Sequence, residues 1–405
     1  PAERPHPDGI GTHLSDPHMC GTSAHGRRIC AQHPHETAAL TRHACPTHPV
    51  RCHLTQDRVS SPTRAFGRAS TSALPARMTR APRSEDAVVR PLPEIDTIRR
   101  SERMEPLDNR RLRRALDEGT WVKVAPGAFV RSDHWLMLTP IERHRVRVHE
   151  VARRLEPGAV ISHAAAAAEH GIDMLDPWPE AVDVTCGPAT GGRSSGVVRR
   201  HTRDRRTLEV MPFGRHMITT PAQTALDLAR SLRFLPAVAS VDQAIWADRP
   251  GGELTDIDTI HELWTRDAHH RGQVRALRVL SFAERGAANV RESHCRVELA
   301  RLGFPRPRLQ ERRMLRTGRL VFADFYFPEA DHWGEFDGEG KYRDAALRRP
   351  GHDAADAVID EKNRENEIRR EVRGFSRWDR TDVERPRRLY DILTGDGLRS
   401  ALPRP

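Results

Sequence analysis

Residues 322–342 read FADFYFPEADHWGEFDGEGKY and combine two strand-like runs with several carboxylates and a lysine. Residues 319–327 form an apolar and aromatic run that follows a Thr-Gly turn and stops at Pro328. This pattern predicts a strand that ends at the proline. Residues 333–337 predict a second short strand that runs back from the turn. The two strands are expected to pair in one sheet.

Carboxylates on these two strands have the residue types and spacing of a cation site. Asp324 lies in the middle of the first strand, where a carboxylate is costly unless a cation or hydrogen-bond donors satisfy it. The two-residue period of a strand places Glu335 and Asp337 on one face of the second strand. Mg²⁺ and Mn²⁺ prefer such hard oxygen ligands. We therefore expect Asp324 and Glu335 to hold an ion, with Lys341 orienting the nucleophile or a phosphate oxygen. The alternative is an acidic hairpin balanced by neighbouring arginines.

The C-terminal region resembles a known family of nucleases. The matching segments, in order, are Asp324, the Glu-Phe-Asp-Gly run at 335–338, Lys341-Tyr342, the run EKNRE at 361–365 and GFSRW at 374–378. Residues 288–395 thereby resemble the very-short-patch-repair-like endonucleases of the PD-(D/E)XK superfamily. The resemblance implies Mg²⁺- or Mn²⁺-dependent cleavage of DNA by a restriction-endonuclease-like α/β domain with a central mixed sheet. It also implies a first helix that opens near Glu292, a further possible metal ligand.

One departure from that family concerns its catalytic lysine. Asp337 stands where the superfamily has the lysine of its E-x-K motif, so Lys341 or Lys362 would have to take that role. The chain has only three lysines, and the third is Lys123. A preference for arginine throughout the chain explains this distribution equally well. Residues 343–360 are expected to form either a flap over the site or a solvated loop.

The middle of the chain resembles the AbiEi-type antitoxins. The segments concerned are ISHAAAAA at 161–168, HGI at 170–172, VDVT at 182–185 and TTPAQTALDLAR at 219–230. The alanine run predicts a helix capped by Ser162 and ended by Gly171. Residues 182–185 predict a strand, and Thr220 with Pro221 predicts the start of another helix. No catalytic group is evident, and His163 and His170 are best explained as structural.

The segment before this region has the order of a winged helix. Residues 107–117 read LDNRRLRRALD, an arginine-rich amphipathic helix, and the runs 121–125 and 129–131 flank a Pro-Gly hairpin. With residues 94–103 as a preceding helix, the pattern predicts a DNA-binding unit, as the antitoxin resemblance also implies. Four arginines are expected at phosphates: Arg110, Arg111, Arg113 and Arg114. The alternative is a solvated basic helix.

Composition limits the location and the partners of the protein. No run of about eighteen apolar residues exists to span a membrane, so we expect a soluble, cytoplasmic bacterial protein. The net charge of +10 favours polyanionic partners. Residues 1–103 contain 15 Arg and 10 Asp or Glu, a difference of +5, so half of that excess lies in this N-terminal stretch.

Residues 1–80 have Phe66 as their one aromatic residue, and they hold nine His and four of the six Cys. This composition cannot bury a core. The cysteine spacings are not those of structural zinc sites. We expect a disordered or wrongly annotated extension, with Met78 as the start.

These patterns together predict a multi-domain α/β protein. The expected units are a winged-helix DNA-binding unit at 81–135, an AbiEi-type α/β domain at 136–280 and the endonuclease-like domain at 288–395. The expected activity is hydrolysis of DNA phosphodiester bonds in a defence, repair or toxin-antitoxin context. The alternative is a transcriptional regulator or antitoxin of the AbiEi type whose nuclease-like domain is inactive. A cognate toxin protein is a further possible partner.

Overall fold

A computed structural model describes residues 92–100, 109–187, 194, 196–267, 270–338 and 354–405. Within these ranges the strands are β1 (Thr97–Arg99), β2 (Trp121–Ala125), β3 (Ala128–Arg131), β4 (Val160–Ile161), β5 (Val182–Cys186), β6 (Val198–Thr202), β7 (Val210–Phe213), β8 (His216–Thr219), β9 (Arg308–Met314), β10 (Leu320–Phe327), β11 (His332–Asp337) and β12 (Gly374–Asp379). The expectations for residues 1–80, for Lys341 and for most of 343–360 lie outside the described residues.

The helices of the same ranges are α1 (Asn109–Asp117), α2 (Ser132–Met137), α3 (Pro140–Ala152), α4 (His163–His170), α5 (Pro221–Ser231), α6 (Phe234–Ala244), α7 (Ile257–Arg266), α8 (Gln273–Phe282), α9 (Val290–Arg301), α10 (Ala354–Arg369), α11 (Arg380–Val383) and α12 (Pro386–Gly395). Helices and three sheets therefore occur together, as the predicted α/β class requires. None of the described helices combines the length and the apolar composition that crossing a membrane requires.

The first sheet contains the predicted hairpin and one strand that the sequence analysis assigned wrongly. β2 and β3 pair antiparallel, and the sheet order is β1-β3-β2. The predicted helix over 94–103 is wrong for its described part, because β1 occupies Thr97–Arg99 and pairs antiparallel with β3. The β-branched Thr97 and Ile98 favour a strand, and β3 offers an open edge. Arg99 then pairs with Glu150 of α3 at 2.7 Å.

The second sheet has the order β6-β5-β4-β8-β7 and carries the middle region. One apolar core joins it to α3 and to the first sheet, and includes Val130, Val148, Ile161, Val184 and Ile218. On the chain that follows, α5 to α8 pack together as a helical layer whose core is rich in alanine, leucine and valine. α6 also contacts α9, so the helical layer leads directly into the C-terminal part.

Helix ends in the middle region lie where the sequence analysis placed them. Gly171 ends α4 with a left-handed φ of 69°. α5 begins at Pro221, and the side chain of Thr220 accepts a hydrogen bond from the Gln223 N–H. Ser162 precedes α4 but makes no capping bond. Its hydroxyl instead lies 2.8 Å from the Thr185 hydroxyl, a contact that links α4 to β5.

The third sheet is mixed and has the order β12-β11-β10-β9. The two predicted strands are confirmed as β10 and β11, which pair antiparallel, while β12 runs parallel to β11. One face packs on α9 and α12 through residues such as Cys295, Phe325 and Trp378. The other face packs on α10 through Ile368 and Trp333. Helices thus lie on both faces of this sheet.

The side chains of β10 alternate between the two faces of the sheet, and this alternation is broken at Asp324. Val321 and Ala323 belong to the core on the α10 face, but Phe325 and Phe327 belong to the core on the α9 face. The β9–β10 ladder is continuous up to Ala323 and resumes at Phe325. The ladder is interrupted at Asp324 and Gln310, and Gln310 has a left-handed φ of 49°. Such a backbone conformation is strained for a residue other than glycine.

A glycine in β11 tests how closely this sheet packs. A Cβ added at Gly334 would lie 2.6 Å from Cη2 of Trp378 and 3.2 Å from Cβ of Phe325. We expect Gly334→Ala to lower the free energy of unfolding by about 1–3 kcal/mol, because the buried indole has little room to move. Urea denaturation measures the change. Gly338→Ala is the matched control, since a Cβ there meets nothing within 4 Å. Equal stability of the two variants would contradict the packing described.

Candidate functional site

Asp324 has amide partners where the strand pairing is interrupted. Its Oδ2 accepts a hydrogen bond from the Phe336 N–H at 2.9 Å, and its Oδ1 accepts one from Nε2 of Gln310 at 3.3 Å. The Phe336 nitrogen is bonded to the carbonyl carbon of Glu335, so the Asp324 carboxylate lies against the backbone at Glu335. Among the described residues, no arginine or lysine forms an ion pair with Asp324. The donors that the sequence analysis required for this carboxylate are therefore neutral amides.

Gln310 connects Asp324 with Glu292. The Gln310 Nε2 also lies 3.3 Å from Oε2 of Glu292, a residue of α9 that is 4% exposed. Glu292 accepts hydrogen bonds from the Ala288 N–H and from Nδ2 of Asn289, so it also stabilises the start of α9. One amide group therefore faces two carboxylates. The partial positive charge of this amide N–H group faces both carboxylates.

Glu335 lies in a different set of contacts. Its Oε1 accepts hydrogen bonds from Nη2 of Arg364 at 2.8 Å and from the Trp333 indole at 3.0 Å. Its Oε2 accepts one from Nη2 of Arg377 at 2.5 Å. Arg364 belongs to α10 and Arg377 to β12, whereas the side-chain partner of Asp324 comes from β9. The structure brings Asp324 together with Glu292, and Glu335 together with two arginines.

Four carboxylates contact these two guanidinium groups, and Arg369 pairs with one of them, Glu365, at 2.7 Å, so four negative charges face three positive ones. Arg377 also pairs with Glu361 at 2.8 Å, with Glu365 at 3.2 Å and with Asp337 at 3.6 Å. Asp337 and Glu335 thus lie on one side of the sheet, as the two-residue period predicted. Asp337, in the lysine position of the family motif, is balanced by Arg377 in the described structure.

Hydrogen bonds and opposite charges within this cluster favour the ionised forms of its side chains. The hydrogen bond from Arg364 lowers the pKa of Glu361 to about 2. Burial alone would lower the pKa of Arg364, but its bonds to Glu361 and the charge of Glu335 raise it well above the usual value. The pKa of Arg377 is raised for the same reasons. Both guanidinium groups therefore stay charged at every pH at which the protein is folded.

The carboxylates fit a divalent cation in part. Within the described ranges, no three His, Cys, Asp or Glu side chains are grouped so as to hold a metal ion. The Asp324–Glu292 pair suits Mg²⁺, which commonly takes one or two protein carboxylates and completes its shell with waters and phosphate oxygens. Glu335 does not fit as a ligand in this arrangement, because arginines occupy both of its oxygens.

The lysines do not complete the site in the described structure. Lys362 is exposed on α10 and makes no ion pair within the described residues. Lys341 lies outside the described ranges. Lys123 is exposed on β2, far along the chain from the carboxylates.

The predicted phosphate-binding arginines all lie on the surface of α1. The helix buries Leu112, and Arg110, Arg111, Arg113 and Arg114 are exposed. The amphipathic helix that the sequence predicted is therefore present from Asn109 onward.

A polar cluster in the middle sheet was not foreseen. The rings of His163 and His201 stack with centroids 3.6 Å apart, and Nε2 of His201 lies 2.7 Å from Oδ1 of Asp183. Arg199 also donates to Asp183. Burial lowers the pKa of His163 to about 4, so this imidazole is neutral. His170 bonds the Thr219 carbonyl at 2.7 Å. These contacts satisfy the polar groups and support the structural interpretation of both predicted histidines.

Gln310 is the site residue that the sequence analysis missed. It lies in the run RLQERRM, which has the composition of an exposed edge strand. A glutamine in such a run gives no sign that its φ is positive or that its side chain faces two carboxylates. The arginine pairs were also missed as contacts, although the basic helix and the GFSRW strand had been matched to the family pattern.

Comparisons with known proteins leave the family open. No family model matches the chain. Two proteins of Mycobacterium tuberculosis, the uncharacterized proteins MT2308 of strain CDC 1551 and Rv2248 of strain H37Rv, are each 26% identical to it over 226 residues. These matches cover 51% of this chain and 77% of each relative. The crystal structure of the RV2827C protein of Mycobacterium tuberculosis matches with a TM-score of 0.25 and 16% identity, over 50% of this chain and 80% of that chain.

The depressed pKa of Glu361 gives the arginine cluster a pH signature. Since the folded-state pKa of about 2 lies below the ordinary value of 4.5, the ion pair stabilises the fold above pH 4.5 and is lost as the pH falls towards 2. We expect Glu361→Gln to flatten the dependence of the unfolding free energy on pH in that window. Urea denaturation at several pH values measures the slope. Glu329→Gln, an exposed change near β10, is the control. Parallel curves for Glu361→Gln and the wild type would contradict this assignment.

Proposed function

We propose that the protein is a DNA endonuclease that hydrolyses phosphodiester bonds with Mg²⁺ or Mn²⁺ in a bacterial defence, repair or toxin-antitoxin setting. The observation that carries the proposal is the approach of Asp324 and Glu292 to the two sides of the Gln310 amide. Two partly or fully buried carboxylates that share one neutral donor are held where a cation would relieve their mutual repulsion.

The order of elements in the C-terminal part supports the same proposal. The resemblance implies a helix, a strand with an aspartate, a strand ending in E-x-D-G, a second helix and a strand beginning Gly-Phe. The described elements α9, β10, β11, α10 and β12 follow that order, and the sheet is mixed. This agreement concerns topology and leaves the chemistry to experiment.

Asp324 and Glu292 would hold the ion in this proposal. When bound, such an ion supplies an activated water and stabilises charge on the phosphodiester. The chain itself holds the Asp324 carboxylate in place through the Phe336 N–H. The Gln310 Nε2 lies 3.3 Å from one oxygen of each carboxylate. Lys341 remains the proposed ammonium that orients a phosphate oxygen, and Lys362 is the alternative.

The arginine cluster has two consequences for this function. Arg364 and Arg377 hold Glu335 away from an ion, which favours a structural role for Glu335 and Asp337. The same observation supports the second candidate function, a regulator or antitoxin of the AbiEi type whose nuclease-like domain binds DNA without cleaving it. Activity that depends on Asp324 and on a divalent ion distinguishes the two.

The proposal extends to the N-terminal part of the chain. The exposed arginines of α1 lie beside a three-stranded sheet with a hairpin, an arrangement that supports a DNA-binding unit of the winged-helix kind. Arg113 and Arg114 make no ion pair within the described residues, so their charge is available to phosphates. A cognate toxin is a further proposed partner in the toxin-antitoxin setting.

Plasmid nicking tests the enzyme proposal. We expect the wild type to nick supercoiled DNA with Mg²⁺ and to stop when EDTA is added. Asp324→Asn and Glu292→Gln should abolish nicking, because each removes a charge that holds the ion. Glu329→Gln is the matched control and should leave nicking unchanged.

Thermal denaturation gives a second measurement that does not depend on activity. Excess Mn²⁺ should raise the melting temperature of the wild type, since a ligand that binds only the folded state stabilises it. It should not raise that of Asp324→Asn. Glu335→Gln should lose stability and still respond to Mn²⁺, because Glu335 contacts arginines rather than the ion. An identical response of the wild type and Asp324→Asn would favour the regulator.

The N-terminal arginines are tested by the salt dependence of duplex binding. Each lost phosphate contact should reduce the slope of log affinity against log salt by about one unit. We expect Arg113→Ala with Arg114→Ala to flatten the slope by about two units on this basis. Arg271→Ala with Arg399→Ala removes the same charge from other exposed positions and should leave the slope unchanged. An unchanged slope for the α1 variant would exclude that helix from the interface.

A further inference from the structure

One face of the β9–β10 hairpin is exposed beside the carboxylate pair. Phe322 pairs with Arg312 across the ladder, and Leu320 pairs with Met314. Phe322 is 51% exposed, Met314 58% and Leu320 38%. A phenylalanine side chain in the middle of a strand is normally buried, so the exposure of Phe322 is notable. We call this surface the ribbon face, and it consists of Arg312, Met314, Leu320 and Phe322.

The ribbon face continues directly into the candidate site. Val321 and Ala323 pack on the α10 face, so Phe322 between them lies on the α9 face. Asp324 lies on that face too, because Gln310 bonds both Asp324 and Glu292 of α9. Two residues of a strand span about 6.6 Å. A ligand that extends along β10 from Phe322 would therefore reach Asp324.

The charge of the hairpin favours a polyanion. Arg312 is exposed on the ribbon face, and Arg316 and Arg319 are exposed at the turn. Within the part of the chain that the structure describes, none of these three arginines forms an ion pair. Other described arginines of the C-terminal part, such as Arg364 and Arg377, are engaged with carboxylates. Three guanidinium groups without ion pairs, on the hairpin that carries the exposed aromatic ring, match a phosphate backbone with bases available for stacking.

We infer that the ribbon face binds single-stranded DNA, with one base stacked on Phe322 and phosphates on Arg312, Arg316 and Arg319. The inference rests on the proposed endonuclease function for the choice of DNA. A flat aromatic ring flanked by arginines suits an unpaired base, whose faces are open, better than a continuous duplex, whose bases are already stacked. The face would deliver the strand to Asp324.

Fluorescence anisotropy in EDTA tests the inference without cleavage. The probes are a labelled oligothymidine of roughly 15 nucleotides, a size typical of single-strand sites, and a duplex of the same length. We expect Phe322→Ala to weaken oligothymidine binding roughly 10-fold, as the loss of one stacked base does. Duplex binding should change much less, because α1 is proposed to supply it. Phe322→Tyr keeps a ring and should bind as the wild type does. Val274→Ala, an exposed apolar change on α8, is the control.

Salt titration tests the arginines separately. Arg312→Ala with Arg319→Ala should reduce the slope for oligothymidine by about 0.7 for each lost contact. Arg271→Ala with Arg399→Ala should leave that slope unchanged. Stronger binding to oligouridine than to oligothymidine would replace DNA by RNA and overturn the inference as stated.

The outcomes separate this inference from the proposed activity. If the wild type does not nick DNA but Phe322→Ala and the arginine variant lose single-strand binding, the ribbon face stands and the endonuclease proposal fails. If Phe322→Ala binds oligothymidine as the wild type does, the inference fails, whether or not DNA is cleaved. A lowered melting temperature of Phe322→Ala with unchanged binding would mean that the ring is covered by the chain itself or by a second copy.

Discussion

The hydrogen bond from the Phe336 N–H to the Asp324 carboxylate is the contact on which the C-terminal part depends. It holds a charged side chain inside a sheet at the point where the β9–β10 ladder is interrupted. Val321 and Ala323, before Asp324, pack on the α10 face, whereas Phe325 and Phe327, after it, pack on the α9 face. This one position therefore determines which side chains reach each face of the sheet. It also sets Asp324 beside Gln310 and Glu292 rather than beside the arginines.

The negative charges of this part are balanced in two ways. On the α10 face, Glu335, Glu361, Glu365 and Asp337 pair with guanidinium groups, which are fixed cations, of Arg364, Arg369 and Arg377. On the α9 face, Asp324 and Glu292 share a neutral amide. Fixed cations complete a structural cluster, whereas a neutral donor leaves the carboxylates able to bind a mobile cation. For this reason we propose a structural role for the carboxylates that pair with arginines, and binding of an ion for Asp324 and Glu292.

The sequence predicted the elements better than it predicted the contacts. Residues 319–327 and 333–337 were correctly assigned to paired strands, because local patterns of apolar residues, proline and glycine determine such elements. The ends of α4 and α5 followed from Gly171, Thr220 and Pro221 for the same reason. The helix expected over 94–103 was wrong, since the open edge of β3, more than twenty residues away in the chain, decided its conformation.

Contacts in the candidate site depend on residues distant in sequence. Arg377 meets Glu335 across 42 residues, and Gln310 meets Glu292 across 18. No pattern of neighbouring residues in the sequence indicates either of these two contacts. No such pattern indicates the left-handed φ of Gln310, because glycine, asparagine or aspartate would normally mark such a position. The sequence thus supplied the candidate carboxylates, and the structure grouped them into the pair Asp324–Glu292 and the arginine cluster around Glu335.

Diffraction from crystals soaked in Mn²⁺ would show whether Asp324 and Glu292 hold an ion, because the anomalous signal locates the ion without reference to activity. We expect one peak about 2.1 Å from a carboxylate oxygen of Asp324 and from one of Glu292, with Arg364 and Arg377 still bonded to Glu335. A peak at Glu335 with the arginines displaced would contradict the assignment of the ion to Asp324 and Glu292, and so would the absence of any peak at Asp324.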